Sequence, residues 1–187
     1  MTEGTLPEEA AALIGYWFGE IDEEAWWGPP PEVDTEIRRR FLPLYERIVR
    51  EGVPRAWLVL PKGRLAAIVA LDQLPRNLHR GDARAFASDD LALALAKRAI
   101  GFGDEDHLDE RERIFLYVPF QHSEKAADQD RSVELYTALG DELCLRFAKM
   151  HRDVIASFGR FPHRNAALGR ETTAEEAEFL KGEALFW

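Results

Sequence analysis

Two stretches of the chain place an arginine and an asparagine just after a helix-breaking proline. The first is Asp72-Gln-Leu-Pro-Arg-Asn77 and the second is Gly159-Arg-Phe-Pro-His-Arg-Asn165. Proline ends or bends a helix, and a guanidinium presents a rigid fork of donors that suits carboxylates and phosphates. These stretches and the residues beside them supply the candidate ligand-binding residues Arg76, Asn77, Arg80, Arg160, Arg164, Asn165 and Arg170, and the candidate catalytic residues Asp72 and His163.

A third polar stretch, from Phe120 to Gln129, places a histidine beside two carboxylates. If this stretch is helical, Glu124 and Asp128 share a face because they are four residues apart. A carboxylate can fix the tautomer of an imidazole and raise its basicity, so His122 and Glu124 are candidate catalytic residues. Asp128 and Gln129 are candidate ligand-binding residues. The alternative is an ordinary helix N-terminus, where acids interact favourably with the dipole.

The remaining reactive side chains have simpler interpretations. His151 lies on the apolar stripe of a predicted helix and is either a core histidine or a further ligand-binding residue. Cys144 lies on the inner side of the same helix, as expected of an inert buried thiol. Trp26 and Trp27 are typical of core or loop anchors. Phosphate-loop, nucleophile-elbow and zinc-helix motifs are all missing, so no metal site is predicted and no cofactor is indicated.

The charge balance narrows the choice of partners. The formal net charge is −10, which disfavours nucleic acid and anionic membranes unless the charges are segregated. They are segregated, because residues 52–81 hold one acid, Asp72, and residues 154–170 hold none. The segregation indicates either a basic functional surface or only a compositional bias, since 19 Arg stand against 5 Lys. The negative net charge and the absence of a basic helix face favour a small anionic ligand over a nucleic acid. Short apolar runs, an acidic N-terminus without a targeting pattern and a single cysteine predict a cytoplasmic protein without a membrane partner.

The elements that position these residues are predicted to be helices. Ala, Leu, Glu and Arg recur while β-branched residues are sparse, which predicts one all-α domain, residues 1–187, of about eight antiparallel helices. Residues 114–118 resemble a strand by propensity, but a lone strand is unstable, so helix is favoured. The predicted helices are 5–18, opened by a Thr5–Glu8 capping box; 35–51, capped by Asp34; 63–73, ended by Pro75; one from Asp82 or Ser88 to 101; 111–120; 124–139; 141–158; and 173–181, opened by a Thr173–Glu176 box.

In combination, these motifs resemble a known family. The segments Leu71–Asn77 with Arg80-Gly81, Pro119–Glu124 with Asp128-Gln129, and Phe158–Asn165 with Leu168–Arg170 are similar to bacterial proteins grouped as domain of unknown function 924, as are Tyr16–Gly19 and Trp26-Trp27. Leu74 stands where the family usually has Phe, and Gln121 where it often has Glu. The resemblance covers nearly the whole chain and implies an all-helical fold similar to tetratricopeptide-repeat arrays. It implies no function.

Three functions are compatible with the sequence. In the favoured one, the arginines bind a small anionic metabolite while His122 or His163, oriented by Asp72, Glu124 or Asp128, transfers a proton; this requires the three stretches to converge on one pocket. In the second, helix pairs present a peptide-binding groove to a protein partner. In the third, the motifs are purely structural locks between arginines and carboxylates.

Overall fold

A computed structural model describes residues 4–28 and 30–182, and these contain eight α-helices and no β-strand. The prediction of an all-α fold with about eight helices is confirmed. None of the helices in these residues is long and apolar enough to cross a bilayer. The helices are α1 (Glu8–Gly19), α2 (Pro31–Glu51), α3 (Pro61–Leu78), α4 (Asp89–Gly101), α5 (Glu110–Gln121), α6 (Ala126–Leu139), α7 (Glu142–Phe158) and α8 (Ala174–Phe179).

Helix α3 forms the centre of the core. It contacts α1, α2, α4 and α5, and α5 in turn contacts α6 and α7. From Gly63 to Leu78 almost every residue of α3 is buried, including Ala66, Ala67 and Ala70, whose small side chains let neighbouring helices approach closely. The polar residues at the end of α3 are thereby carried on a rigid element into the middle of the protein.

One glycine at the start of α3 allows a very close contact. A Cβ atom on Gly63 would lie 2.2 Å from the carbonyl oxygen of Trp57. That oxygen belongs to the backbone of the short 3-10 helix Arg55–Val59, in which Trp57 is buried, so it has little freedom to move away. Gly63 is therefore required for the first turn of α3 to pack against the preceding segment.

Helix α3 does not end at Pro75, contrary to the prediction, but continues to Leu78. Proline has no N–H to give to the carbonyl four residues earlier, which belongs to Leu71. The hydroxyl of Ser88 donates to the Leu71 carbonyl oxygen at 2.5 Å and takes the place of the missing N–H. This bond keeps the last turn of α3 helical and holds the start of α4 against it.

Other predicted boundaries need correction in the same way. Helix α1 begins at Glu8 after Pro7, and no side chain caps it, so the Thr5 capping box was wrong. Helix α2 begins at Pro31 rather than at Thr35, so Asp34 lies inside its first turn and is free to bind side chains from α3. The Thr173–Glu176 capping box and the helical assignment of residues 114–118 are confirmed.

Candidate functional site

The three polar stretches meet in the structure. The end of α3 brings Asp72 and Arg76, the end of α5 brings His122, and the turn after α7 brings Arg164. The start of α4 adds Asp89, which was not among the predicted site residues. Its first-turn position in a Ser-Asp-Asp sequence is typical of any helix start, so nothing in the sequence distinguishes it as a site residue.

Asp72 and His122 form a buried carboxylate–imidazole pair. Nδ1 of His122 lies 2.9 Å from both carboxylate oxygens of Asp72, and Asp72 is 1% exposed. Burial alone raises the pKa of Asp72, but the charge of Arg76 and the bonds from His122 and Gln73 outweigh it, so this pKa lies below its usual range. Asp72 is therefore a carboxylate that requires a proton on Nδ1 and leaves Nε2 as an acceptor.

His122 is neutral near pH 7 in this environment. Burial lowers its pKa, the nearby charge of Arg76 lowers it further, and the charge of Asp72 only partly opposes them. Among the described residues, no side chain or backbone group hydrogen-bonds to Nε2. The ring lines two clefts, so Nε2 is the nitrogen that can meet a ligand.

Arg76 and Arg164 share the carboxylate of Asp89. Arg76 binds it with two bonds of 2.9 and 3.0 Å, and also donates to the backbone oxygen of Asp72. Arg164 reaches the same carboxylate with a single bond of 3.2 Å and the backbone oxygen of His122 with another of 3.1 Å. The cluster thus contains two positive guanidiniums and two negative carboxylates, those of Asp72 and Asp89, so its formal charges cancel.

Arg164 is the least satisfied of these cations. Its guanidinium is sandwiched between the rings of Phe86 and Phe161, at 4.6 and 4.7 Å. Its Nε is buried and has no hydrogen-bond partner in the described part of the chain. Burial, followed by repulsion from Arg76, lowers the pKa of Arg164 to about 10. It remains charged at neutral pH, but at a high desolvation cost.

The smaller of the two clefts beside His122, which we call the arginine cleft, has a volume of about 40 Å³. Among its described lining residues there are two guanidiniums, from Arg76 and Arg80, and no carboxylate. Asp34 holds Arg80 from outside the lining, with bonds of 3.0–3.1 Å. The full lining is Trp26, Trp27, Gln73, Arg76, Asn77, Arg80, Val118, Gln121 and His122.

Three side-chain amides also line the arginine cleft. The amide nitrogen of Gln73 donates to Asp72 at 2.6 Å, and that of Asn77 donates to Asp34 at 2.8 Å, so each amide keeps its oxygen and one N–H for other partners. Gln121 is 5% exposed, and its side-chain amide makes no hydrogen bond to any described residue. In the sequence Gln121 stands out only as a departure from the family pattern, and neither it nor Gln73 is among the predicted site residues.

The larger cleft, which we call the Arg164 cleft, lies on the other side of His122 and has a volume of about 270 Å³. It mixes both signs of charge with apolar walls. Its lining is Phe86, Ala87, Asp89, Asp90, Leu93, Pro119, His122, Ser123, Glu124, Lys125, Arg164 and Leu168. With three carboxylates and two cations in its lining, this cleft attracts anions less than the arginine cleft does.

The second stretch, Gly159–Asn165, and the nearby Arg170 instead take part in a set of internal ion pairs. Arg170 binds Glu124 with two bonds of 2.8 and 3.1 Å, and Glu124 also accepts the backbone N–H of Phe161. Arg160 binds Glu176 with two bonds of 2.6 and 2.9 Å. We call this group, completed by Asn165, which donates to Glu176 at 3.1 Å, the C-terminal lock.

The other predicted site residues lie behind the clefts. Gln129 donates to the carbonyl oxygens of Gln121 and Ser123 at 2.7 Å and so caps the end of α5. Asp128 accepts from the Ser123 hydroxyl at 2.8 Å and pairs with Lys97. His151 and His163 both pack against the ring of Phe161, with centroids 5.5 and 5.6 Å away. Among the described residues, no three His, Cys, Asp or Glu side chains are placed to hold a metal ion.

Comparison with known proteins places this helical chain in a family. The model of a family described as "Bacterial protein of unknown function (DUF924)" matches residues 13–184. The solved structure of a protein of unknown function from Agrobacterium tumefaciens is similar, with 37% identity and a TM-score of 0.86. The match covers 92% of this chain and 96% of that one. No curated protein matches the chain.

Proposed function

We propose that this chain, which belongs to the DUF924 family of bacterial proteins of unknown function, binds the anionic head of a small metabolite in the arginine cleft. In this proposal, His122 exchanges a proton with the bound molecule. The observation that carries the proposal is the lining of the arginine cleft. It joins two guanidiniums and the imidazole of His122 without a carboxylate among the described lining residues.

The electrostatics of the arginine cleft favour a negative guest. The carboxylates that pair with Arg76 belong to Asp89 and Asp72, and the one that pairs with Arg80 belongs to Asp34; none of the three lines the cleft. A ligand carboxylate or phosphate would add charge-assisted hydrogen bonds to guanidiniums that already have internal partners. We therefore expect selective but modest affinity, since the ligand supplements existing ion pairs and does not neutralise a bare charge.

The Asp72–His122 pair supplies the proton chemistry. A histidine whose Nδ1 is fixed by a buried carboxylate presents Nε2 in one orientation, and in a neutral imidazole this Nε2 is an acceptor to which a proton can be transferred. With Asp72 as the orienting group, Glu124 and Asp128 are not required for this role, because both are bound to other groups. An enzyme that moves a proton on a small acid is the reaction class that this geometry supports.

The test compares an arginine that lines the cleft with one that does not. Arg80 lines it and is 47% exposed, whereas Arg84 is 67% exposed, lies outside the cleft and pairs with Asp82 in a similar way. Sodium acetate is titrated into the wild type, Arg80→Gln and Arg84→Gln, and binding is followed by amide chemical shifts. We expect about a tenfold weaker dissociation constant for Arg80→Gln and no change for Arg84→Gln.

A second variant changes the charge of the cleft without touching an ion pair. Gln121→Glu is nearly isosteric and introduces a carboxylate beside Arg76, so acetate affinity should fall. Acetate that shifts no resonance of the cleft, or that binds all of these proteins equally well, would refute the proposed function.

The protein-interaction alternative has one feature in its favour. An apolar groove of about 250 Å³ lies between the end of α2 and α4 and includes Val53, Leu91 and Leu95, with Leu91 59% exposed. A scaffold of this kind would lose its partner on Leu91→Asp while acetate binding stayed intact. If Leu91→Asp still captured every protein that the wild type captures, the groove would no longer support this function.

A further inference from the structure

The geometry points to the class of acid that the arginine cleft takes: a small carboxylate that carries a hydroxyl group on the neighbouring carbon. This inference rests on the proposed function, because it assumes that the anionic group lies against Arg76 and Arg80. It concerns the remaining polar groups of the same cleft, which an unsubstituted carboxylate would leave without partners.

The amides of Gln73 and Asn77 require a ligand that donates hydrogen bonds. Their nitrogens are both held by carboxylates, which accept and never donate, so the orientation of each amide is fixed by chemistry. Each therefore presents its oxygen, an acceptor, and one remaining N–H. A carboxylate ligand offers acceptors only, so it can meet the N–H groups but not the oxygens, whereas a hydroxyl can donate to one of the oxygens.

Gln121 requires a partner that both donates and accepts. The residue is 5% exposed and lines the cleft, and its amide makes no hydrogen bond to a described residue, while neither amide atom is among the fully buried unpartnered ones. The amide is therefore open to the cleft, where a polar guest or water can bond to it. A hydroxyl group is the smallest organic substituent that both donates to an amide oxygen and accepts from an amide N–H.

The size of the cleft limits the rest of the ligand. A volume of about 40 Å³ corresponds to roughly three water-sized positions, at about 10–15 Å³ for each. Two carboxylate oxygens and one hydroxyl oxygen fill three such positions. The ring of Trp27, which also lines the cleft, offers an apolar surface for the carbon between them. Any larger remainder of the molecule must lie outside the cleft.

The experiment uses pairs of acids that differ by one group. Glycolate, acetate and methoxyacetate are titrated into the wild-type protein, followed by isothermal calorimetry and by amide chemical shifts. Glycolate should bind about three- to tenfold more tightly than acetate, as one added hydrogen bond provides. Methoxyacetate has an ether oxygen that accepts but no hydroxyl to donate, so it should bind no more tightly than acetate.

Gln121→Met identifies the group responsible. Methionine is unbranched and similar in length, and it replaces an unbonded buried amide with an apolar group, so the variant should fold with an unchanged or higher melting temperature. The ratio of its glycolate affinity to its acetate affinity should shrink towards one. If Gln121→Met preferred glycolate over acetate as strongly as the wild type does, the amide of Gln121 would not be the group that binds the hydroxyl.

The outcomes separate this inference from the proposed function. Equal binding of glycolate and acetate by the wild type would overturn the hydroxyl requirement and leave anion binding intact. Failure of both acids to bind would overturn the proposed function itself, and the hydroxyl requirement with it.

Discussion

The arginine cleft and the C-terminal lock grow from the same sequence pattern and differ in where their carboxylates lie. In the lock, Glu176 accepts two bonds from Arg160 and one from Asn165, and none of these three residues is in the lining of the arginine cleft or the Arg164 cleft. In the cleft, Arg76 and Arg80 are held by carboxylates outside the lining, and their other sides border open space. Similar sequence stretches can therefore position arginines for different roles. The location of the carboxylate partner decides whether an arginine only links parts of the fold or can also bind a ligand.

Arg164 joins the two regions, so its removal should have the largest effect. It is 7% exposed, packs between Phe86 and Phe161, and touches Asp89 and the backbone of His122. Arg164→Ala leaves a cavity and deprives Asp89 of one partner, and we expect a loss of roughly 3–5 kcal/mol in the free energy of unfolding. Urea denaturation measures it.

A control for Arg164→Ala is available on the same chain. Arg152→Ala removes an exposed arginine of α7 that pairs with Asp153, and should change stability by less than about 1 kcal/mol. A near-neutral result for Arg164→Ala would show that the two regions are energetically independent.

Lowering the pH should reduce the free energy of unfolding through His151 and His163 before the carboxylates become protonated. Burial is the main cause that lowers the pKa of both His151 and His163 to about 3. The unfolded chain, with histidine pKa values near 6.5, therefore takes up protons first, and stability falls as the pH decreases from about 6.5 towards 3. Above pH 7 this contribution is complete and constant.

We expect a loss on the order of 2–4 kcal/mol between pH 7 and pH 5, since each such histidine contributes up to about 1.4 kcal/mol per pH unit. Urea denaturation at a series of pH values measures it. His151→Gln should make the dependence shallower, and His107→Gln, at an exposed position, should not. A flat profile between pH 7 and pH 5 would mean that the buried histidines are already protonated in the folded protein.

Glu124 distinguishes a structural carboxylate from a catalytic one. Its side chain binds Arg170 and the backbone N–H of Phe161. Glu124→Gln keeps the shape but loses the charge, and we expect a loss of about 1–3 kcal/mol in unfolding free energy, as for hydrogen bonds to charged groups. Acetate binding should be unchanged, because Glu124 does not line the arginine cleft. Weaker acetate binding with unchanged stability would place Glu124 in the site instead.

The sequence predicts the helices well and the site only in part. Helices follow from periodicity and local caps, so even residues 114–118 were assigned correctly, while Pro75 misled because its missing hydrogen bond is replaced by Ser88, a residue in another helix. His122 and Asp72 were recognisable by type. Their pairing was not, because they are fifty residues apart along the chain. Asp89 and Gln121 became visible only when the helices were packed together.

The tautomer of His122 tests the Asp72–His122 pair directly. Asp72→Asn preserves the shape of the side chain, but the amide can present either an acceptor or a donor to Nδ1 of His122. In the wild type the carboxylate requires a proton on Nδ1, so nitrogen chemical shifts of the imidazole should show the Nδ1–H tautomer alone. In Asp72→Asn the Nε2–H tautomer should become populated, which removes the acceptor from the clefts. An Nε2–H tautomer already dominant in the wild type would show that His122 presents a donor to its ligand and is not the base proposed above.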